Sequence, residues 1–318
     1  MQGKLDWKQR LFKDINAKQR RFNNMLGDNI CCPVCWQQFG PETIESHLSI
    51  EHVPPTSSAK LIGEKSLVTL TCNRCNHTYG TNYQNDLKFF LIHRLWQSDQ
   101  YEGGIPGEIT IPGSRALKCN ITWNSKGIKI IGVPKANNPA VVKEHESILN
   151  KLAETKSQDW KFRLDGNLGY RKANVWNAYF HAAYLIAYIR TGGMYAFSQA
   201  GEILRKYIHE KNSASLGACI IPSQVLGVKG MPWLAKIEEP IDLRCLWIKV
   251  AGNIAVLPYP DNTALSSFYQ AWQQACNMTD FGLVPRDRIH FKVTFFTKGD
   301  MIEARKSLPS FLERCSPT

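Results

Sequence analysis

The chain has 318 residues, 43% of them hydrophobic and 11% aromatic, enough to bury at least one full core and to build two or three domains. This excludes a disordered protein. A net charge of +12 and a pI near 9.2 favour an acidic partner, for which a nucleic-acid backbone or an anionic membrane surface are the commonest choices.

No run approaches the roughly 18 apolar residues of a membrane span, and the N-terminus, MQGKLDWKQRLFKD, lacks the apolar core of a signal peptide. A cytosolic (cytoplasmic) chain with no membrane partner is therefore expected. Its ten cysteines should be mostly reduced there, so close cysteine pairs read as metal ligands.

Residues 1–27 carry Lys4, Lys8, Arg10, Lys13, Lys18, Arg20 and Arg21 against Asp6 and Asp14, with Leu5, Trp7, Leu11, Phe12, Ile15 and Phe22 at roughly helical spacing. They read as a basic amphipathic helix whose apolar stripe docks on the next domain. Its basic face either lies along phosphates or stays solvated.

Residues 28–102 form the metal segment. Cys32-Pro33-Val34-Cys35 and Cys72-Asn73-Arg74-Cys75 are two C-x-x-C pairs separated by thirty-six residues. Each puts two thiolates on one ion in a tight turn, and together they complete a tetrahedron for Zn²⁺. Four thiolates leave no open position, so this zinc is structural. Cys31 competes with Cys32 for the first place. Between the pairs lie the strand-like run TIESHLSI and then Glu51-His52-Val53-Pro54-Pro55.

Gly103 to Gly107 break regular structure, and residues 103–137 read as a small antiparallel β segment (ITI, CNITW, GIKIIGV) with a turn at Asn124 to Gly127. In the helical region 138–212, Asn138-Pro139 opens one helix and ANVWNAYFHAAYLIAYIR forms a second, apolar nearly all round and so central to the core. Gly192-Gly193 stops it, and Ser198 caps a third, SQAGEILRKYIHEK. Residues 213–318 alternate strand-like runs (ACIIPS, LRCLWIKVAG, IAVLPY, RIHFKVTFF) with helical ones (ALSSFYQAWQQAC, DMIEARKSLPSFLERC) and suit substrate selection or assembly. The fold class is α+β. Cys119, Cys219, Cys245, Cys276 and Cys315 read as small buried hydrophobes, and His47, His93, His145, His181, His209 and His290 as structural.

Taken in order, Cys-Pro-x-Cys, Glu-His-Val-Pro-Pro and Leu-Thr-Cys-x-x-Cys-Asn, followed by Gly80 and the acidic Asp86, resemble the HNH endonucleases. The likeness is closest to the branch ending on Asn in place of His, and covers about residues 30–90. A looser likeness reaches AAYLIAYIRTGG. The chain departs from the commoner pattern at Lys65-Ser66-Leu67, where many members carry a middle Asn, and at Asn76, where they carry His.

The resemblance implies a zinc-stabilised ββα-metal unit, with Glu51 and His52 on the strands and a helix launched from the second cysteine pair. It further implies hydrolysis of phosphodiester bonds in double-stranded DNA and a role in restriction or phage defence. Histidine titrates near neutrality, which suits His52 to act as general base. A hard Mg²⁺ or Mn²⁺ ion prefers oxygen ligands, which Glu51 and Asn76 supply, with His77 and Asp86 as further candidates. Neighbours in a strand face opposite ways, so Glu51 and His52 share one ion only if the strand bends, and Pro54-Pro55 make a strand end there plausible. Lys18, Arg20, Arg21 and Arg74 are the candidates for nucleic-acid contact. Two cuts by one such site require a homodimer or rebinding. A non-catalytic zinc module that binds nucleic acid and an RNA-directed nuclease with the same site are the alternatives.

Overall fold

The computed structural model describes residues 2–22, 24–98, 100–101, 103–124, 127–154, 162–166, 169–210, 219–222, 235–237, 244–261, 267–270 and 293–295. Helices and strands are mixed along the chain, in two compact units, one of Met1–Leu87 with Arg171–Thr318 and one of Lys88–Tyr170. No described helix is long and apolar enough to cross a membrane.

Helix α1 (Gln2–Gln19) buries Phe12 and Ile15, three residues apart on one face. Gln19 continues that stripe and is fully buried, which a primary amide tolerates only when bonded. Its Nε2 donates to Cys31 O and Tyr188 Oη, both at 2.9 Å, and its Oε1 accepts from Cys31 N at 2.8 Å. Trp7, at the edge of the stripe, stays 38% exposed. Strands β1 (Ile30–Cys31) and β2 (Gln38–Phe39) pair antiparallel around the first cysteine turn.

The run TIESHLSI is not strand throughout. Pro41 opens a 3-10 turn, Pro41–Thr43, where its missing N–H costs nothing, and α2 (Ile44–His47) follows. Strand β3 (Leu48–Val53) begins only at Leu48 and pairs antiparallel with β4 (Leu67–Cys72), setting Glu51 opposite Thr69 and His52 opposite Val68. The short helix α3 (Thr56–Leu61) lies in the connection, and α4 (Asn73–Gln97) leaves β4 without an intervening loop.

Residues 88–170 hold the rest of α4 and a four-stranded antiparallel sheet. Its strands are β5 (Ile105–Thr110), β6 (Leu117–Asn124), β7 (Gly127–Gly132) and, beyond α5 (Pro139–Glu154), β8 (Arg163–Gly166), in the order β7-β6-β5-β8. Patterning had not singled out β8, a short polar edge. In β5 Ile105, Gly107 and Ile109 are buried and Pro106 and Glu108 exposed, the alternation of a half-buried strand. A Cβ at Gly107 would stand 2.6 Å from the Asp165 carbonyl, so β8 can approach only glycine there. Asn138 caps α5, its Oδ1 accepting from Ala140 N at 2.9 Å.

The core of the larger unit surrounds α6 (Lys172–Arg190), buried without interruption from Val175 to Tyr188. Gly192 and Gly193, with φ of 66° and 106°, turn the chain out of it into α7 (Met194–Phe197). Ser198 caps α8 (Gln199–His209), its Oγ accepting from Gly201 N at 3.1 Å. Strand β9 (Ile220–Pro222), the pair β10 (Ala235–Ile237) with β13 (Val293–Phe295), and β11 (Cys245–Val250) with β12 (Asn253–Pro258) follow; β11-β12-β9 form one sheet. Helix α6 packs against β3, β4, β11 and β12. Cys119, Cys219 and Cys245 are buried. Of ALSSFYQAWQQAC, residues 267–270 are helical; the rest of it, DMIEARKSLPSFLERC, His290, Cys276 and Cys315 lie outside the described residues.

Candidate functional site

One local turn and one strand-to-helix junction bring four thiols together. The sulfurs of Cys32, Cys35, Cys72 and Cys75 all lie within 4.8 Å of one another, and those of Cys35 and Cys72 are 3.7 Å apart. A tetrahedral zinc with bonds of about 2.3 Å sets its sulfurs about 3.8 Å apart, so the residues fit the ion. The turn is fixed by Cys32 N donating to Gln37 O (2.9 Å) and Trp36 N to Cys32 O (2.8 Å). Tyr184 on α6 anchors it, its hydroxyl donating to Pro33 O at 2.6 Å. Burial, with hydrogen bonds among the neighbouring thiols, pushes the Cys32 thiol well up from its ordinary value, whereas hydrogen bonding from Cys32 draws the thiols of Cys35 and Cys72 down. Cys31 stands outside the cluster and packs with Leu26 and Phe197. Among the described residues these four cysteines are the only cluster of three or more His, Cys, Asp or Glu side chains that could hold a metal.

The junction between β4 and α4 also sets the place of Asn76, one residue after Cys75. Its Nδ2 donates to Ile50 O at 3.2 Å, which ties the first turn of α4 to β3 and leaves the amide oxygen as the half able to ligate a cation. His52, exposed on β3, and Asn76 line one hollow of about 410 Å³, together with Lys4, Trp7, Lys8, Ser49 and Ile50. Lys8 anchors α1 here, its ammonium donating to Leu48 O (2.7 Å) and Ile44 O (3.3 Å).

Glu51 faces the other way. The strand keeps its regular register through Val53, so Glu51 is 3% exposed and His52 is on the outer face. Thr71 Oγ1 donates to Glu51 Oε2 at 2.8 Å, and His181 Nε2 lies 2.9 Å from Oε1. The His181 ring stacks on Tyr79, with centroids 4.2 Å apart and planes 9° from parallel. Burial pushes the Tyr79 hydroxyl up, so it stays protonated. A smaller hollow lies beside this group, lined by Glu51, His52, Tyr79, Tyr83 and His181 among others.

The remaining candidates are dispersed. Asp86 accepts from Asn174 Nδ2 at 2.6 Å and lies 3.7 Å from Arg171 Nε; ten residues along α4 from Asn76, it is about 15 Å further down the axis. His77 and Arg74 are exposed on the first turn of α4, and neither lines the hollow at His52. Lys18 pairs with Asp14 at 2.6 Å, and Arg20 and Arg21 are exposed past the end of α1. Sequence reasoning missed His181 as the partner of Glu51. A polar pair four residues apart in an otherwise apolar helix, Asn177 and His181, both buried, was the available signal. It also missed Lys4 and Trp7 beside His52, for which only their shared helical face could have served. Set against protein-family models, curated proteins and solved structures, the chain matches none of them.

Proposed function

We propose that this chain is an HNH-type endonuclease that hydrolyses phosphodiester bonds in DNA, with His52 as general base and the four cysteines holding a structural zinc. The observation that carries the reading is the meeting of His52 and Asn76 at one solvent-open hollow, across a hairpin whose second strand runs into a helix at the cysteine cluster. An exposed imidazole there is free to take a proton from water as it attacks phosphorus. Zinc bound by four thiolates fixes the helix start and leaves the chemistry to the hollow.

Dependence on Mg²⁺ or Mn²⁺ belongs to this reading through the family likeness. The residues around His52 do not complete such a site by themselves: Asn76 offers one amide oxygen, and both oxygens of Glu51 are engaged by Thr71 and His181. No catalytic step is therefore routed through that ion. The position of Glu51 is the observation that favours the second reading, a zinc module that binds nucleic acid without cutting it.

Plasmid cleavage by purified protein with Mg²⁺ or Mn²⁺, beside His52→Ala and a chelator control, tests the reading; an RNA substrate in parallel tests the RNA-directed alternative. We expect cation-dependent cutting of DNA that falls by about 10² or more in His52→Ala, with zinc content and folding unchanged because the side chain is exposed. Full cutting by the variant overturns His52 as the base. DNA and RNA both left uncut with either cation, while DNA is still bound, establishes the binding module.

A further inference from the structure

The hollow at His52 has a chemistry of its own. Lys4, Trp7 and Lys8 stand three and four residues apart, so they share one face of α1 and meet the hollow together. Lys8 is engaged with two backbone carbonyls, while burial and the neighbouring Lys4 lower its pKa. Lys4 is exposed, and so is Trp7 at 38%. Among the described residues no carboxylate lines the hollow, and two ammonium groups, an imidazole and an amide stand around an open volume of about 410 Å³. That volume lies within the roughly 300–1,000 Å³ of ligand sites.

Positive charge answers a phosphate chain, but it does not account for an indole left in water at the rim. Tryptophan presents a broad π-face, the group on which unpaired bases stack regardless of sequence. In an intact duplex those faces are covered by neighbouring base pairs. A tryptophan beside the candidate base is therefore of use only where the strand is unpaired at the site.

We infer that this hollow takes an unpaired DNA strand, with Trp7 stacked on a base and Lys4 set against the adjoining phosphate. The location of the scissile phosphate at His52 rests on the nuclease reading; the stacking and the charge do not. The substrate class that follows is a single strand, a flap, a gap or a frayed end, in preference to a fully paired duplex.

Fluorescence anisotropy with a labelled oligothymidine and with a blunt duplex of the same length, no divalent cation added, tests this apart from any cutting. The wild-type chain should prefer the single strand. Trp7→Ala should lose about tenfold in affinity for it and little for the duplex, while Trp7→Phe keeps most of the binding. Lys4→Ala should weaken the dependence of log Kd on log salt. Both side chains are exposed, so the variants should fold and keep zinc. Unchanged binding by Trp7→Ala, or a preference for the duplex, overturns the inference. Tighter, Trp7-dependent binding of oligouridine overturns DNA as the strand. Trp7-dependent binding of oligothymidine, with neither the oligonucleotide nor plasmid DNA cut once Mg²⁺ or Mn²⁺ is supplied, supports the strand site while removing the nuclease reading.

Discussion

A carboxylate with 3% exposure is tolerated only if its oxygens are bonded, and at Glu51 both are, by Thr71 at 2.8 Å and His181 at 2.9 Å. The energetic weight of the group lies in what its removal strands. Glu51→Ala leaves a buried imidazole and a buried hydroxyl without their partner and opens space behind β3, so we expect a loss of about 3 kcal/mol. Glu51→Gln keeps the volume and an acceptor for Thr71 and should cost about 1 kcal/mol. Urea unfolding measures both. A carboxylate serving only as a solvent-facing cation ligand would behave in the opposite way, its removal being neutral or stabilising, so equal stability of Glu51→Ala and the parent chain would sink the buried role. His52, one residue on, faces solvent and should show the converse pattern: little change in stability, and a change in whatever the hollow does.

At the scale of elements the cysteine cluster is a clasp between strand and helix. Cys72 ends β4, Cys75 lies in the first turn of α4, and Asn76 follows at once, so the metal site and the placement of Asn76 stand or fall together. Cys72→Ser should lose zinc and about 4 kcal/mol, or roughly 10 °C in the thermal midpoint, while Cys119→Ala, altering a buried thiol in the other unit, should keep its zinc. Zinc analysis of the purified variants checks this. Lowering the pH should release the ion as protons compete for the thiolates; retention of zinc in Cys72→Ser would refute the four-sulfur site. The same elements show why some features were legible in sequence. The C-x-x-C pairs, the caps at Asn138 and Ser198 and the stop at Gly192-Gly193 are set by residues a few positions apart, and the physics that fixes them is as local as the pattern. Glu51 and His181 are separated by 130 positions, and α6 is apolar nearly all round, so periodicity gave His181 no direction. The run before Leu48 misled for a different reason: Thr43 to His47 lead directly into a true strand and read as part of it, but Pro41 starts a helical turn that pairing cannot undo.

For the whole molecule, the question is which part of the chain the candidate site needs. Every residue of it, Lys4, Trp7, His52, Asn76, the four cysteines, Glu51 and His181, belongs to the unit of Met1–Leu87 and Arg171–Thr318. The two points where that unit is interrupted are held beside one another, because Asp86 accepts from Asn174 at 2.6 Å and lies 3.7 Å from Arg171. The ion pair, with Arg171 79% exposed, contributes little; the hydrogen bond, half-buried, is what registers α4 against the start of α6. Ends already held together cost little to join, since loop closure grows only slowly with length and a Gly/Ser linker imposes no direction of its own. Replacing residues 88–170 by a short Gly/Ser linker should therefore give a chain that unfolds cooperatively, carries one zinc and binds labelled oligothymidine with the Trp7 dependence of the parent. Size exclusion, zinc analysis and the anisotropy titration read the three properties. A zinc-free or aggregated product would mean that Lys88–Tyr170 completes the core of the larger unit, and a folded, zinc-bound product that no longer binds the strand would place part of the strand's contacts in the excised sheet.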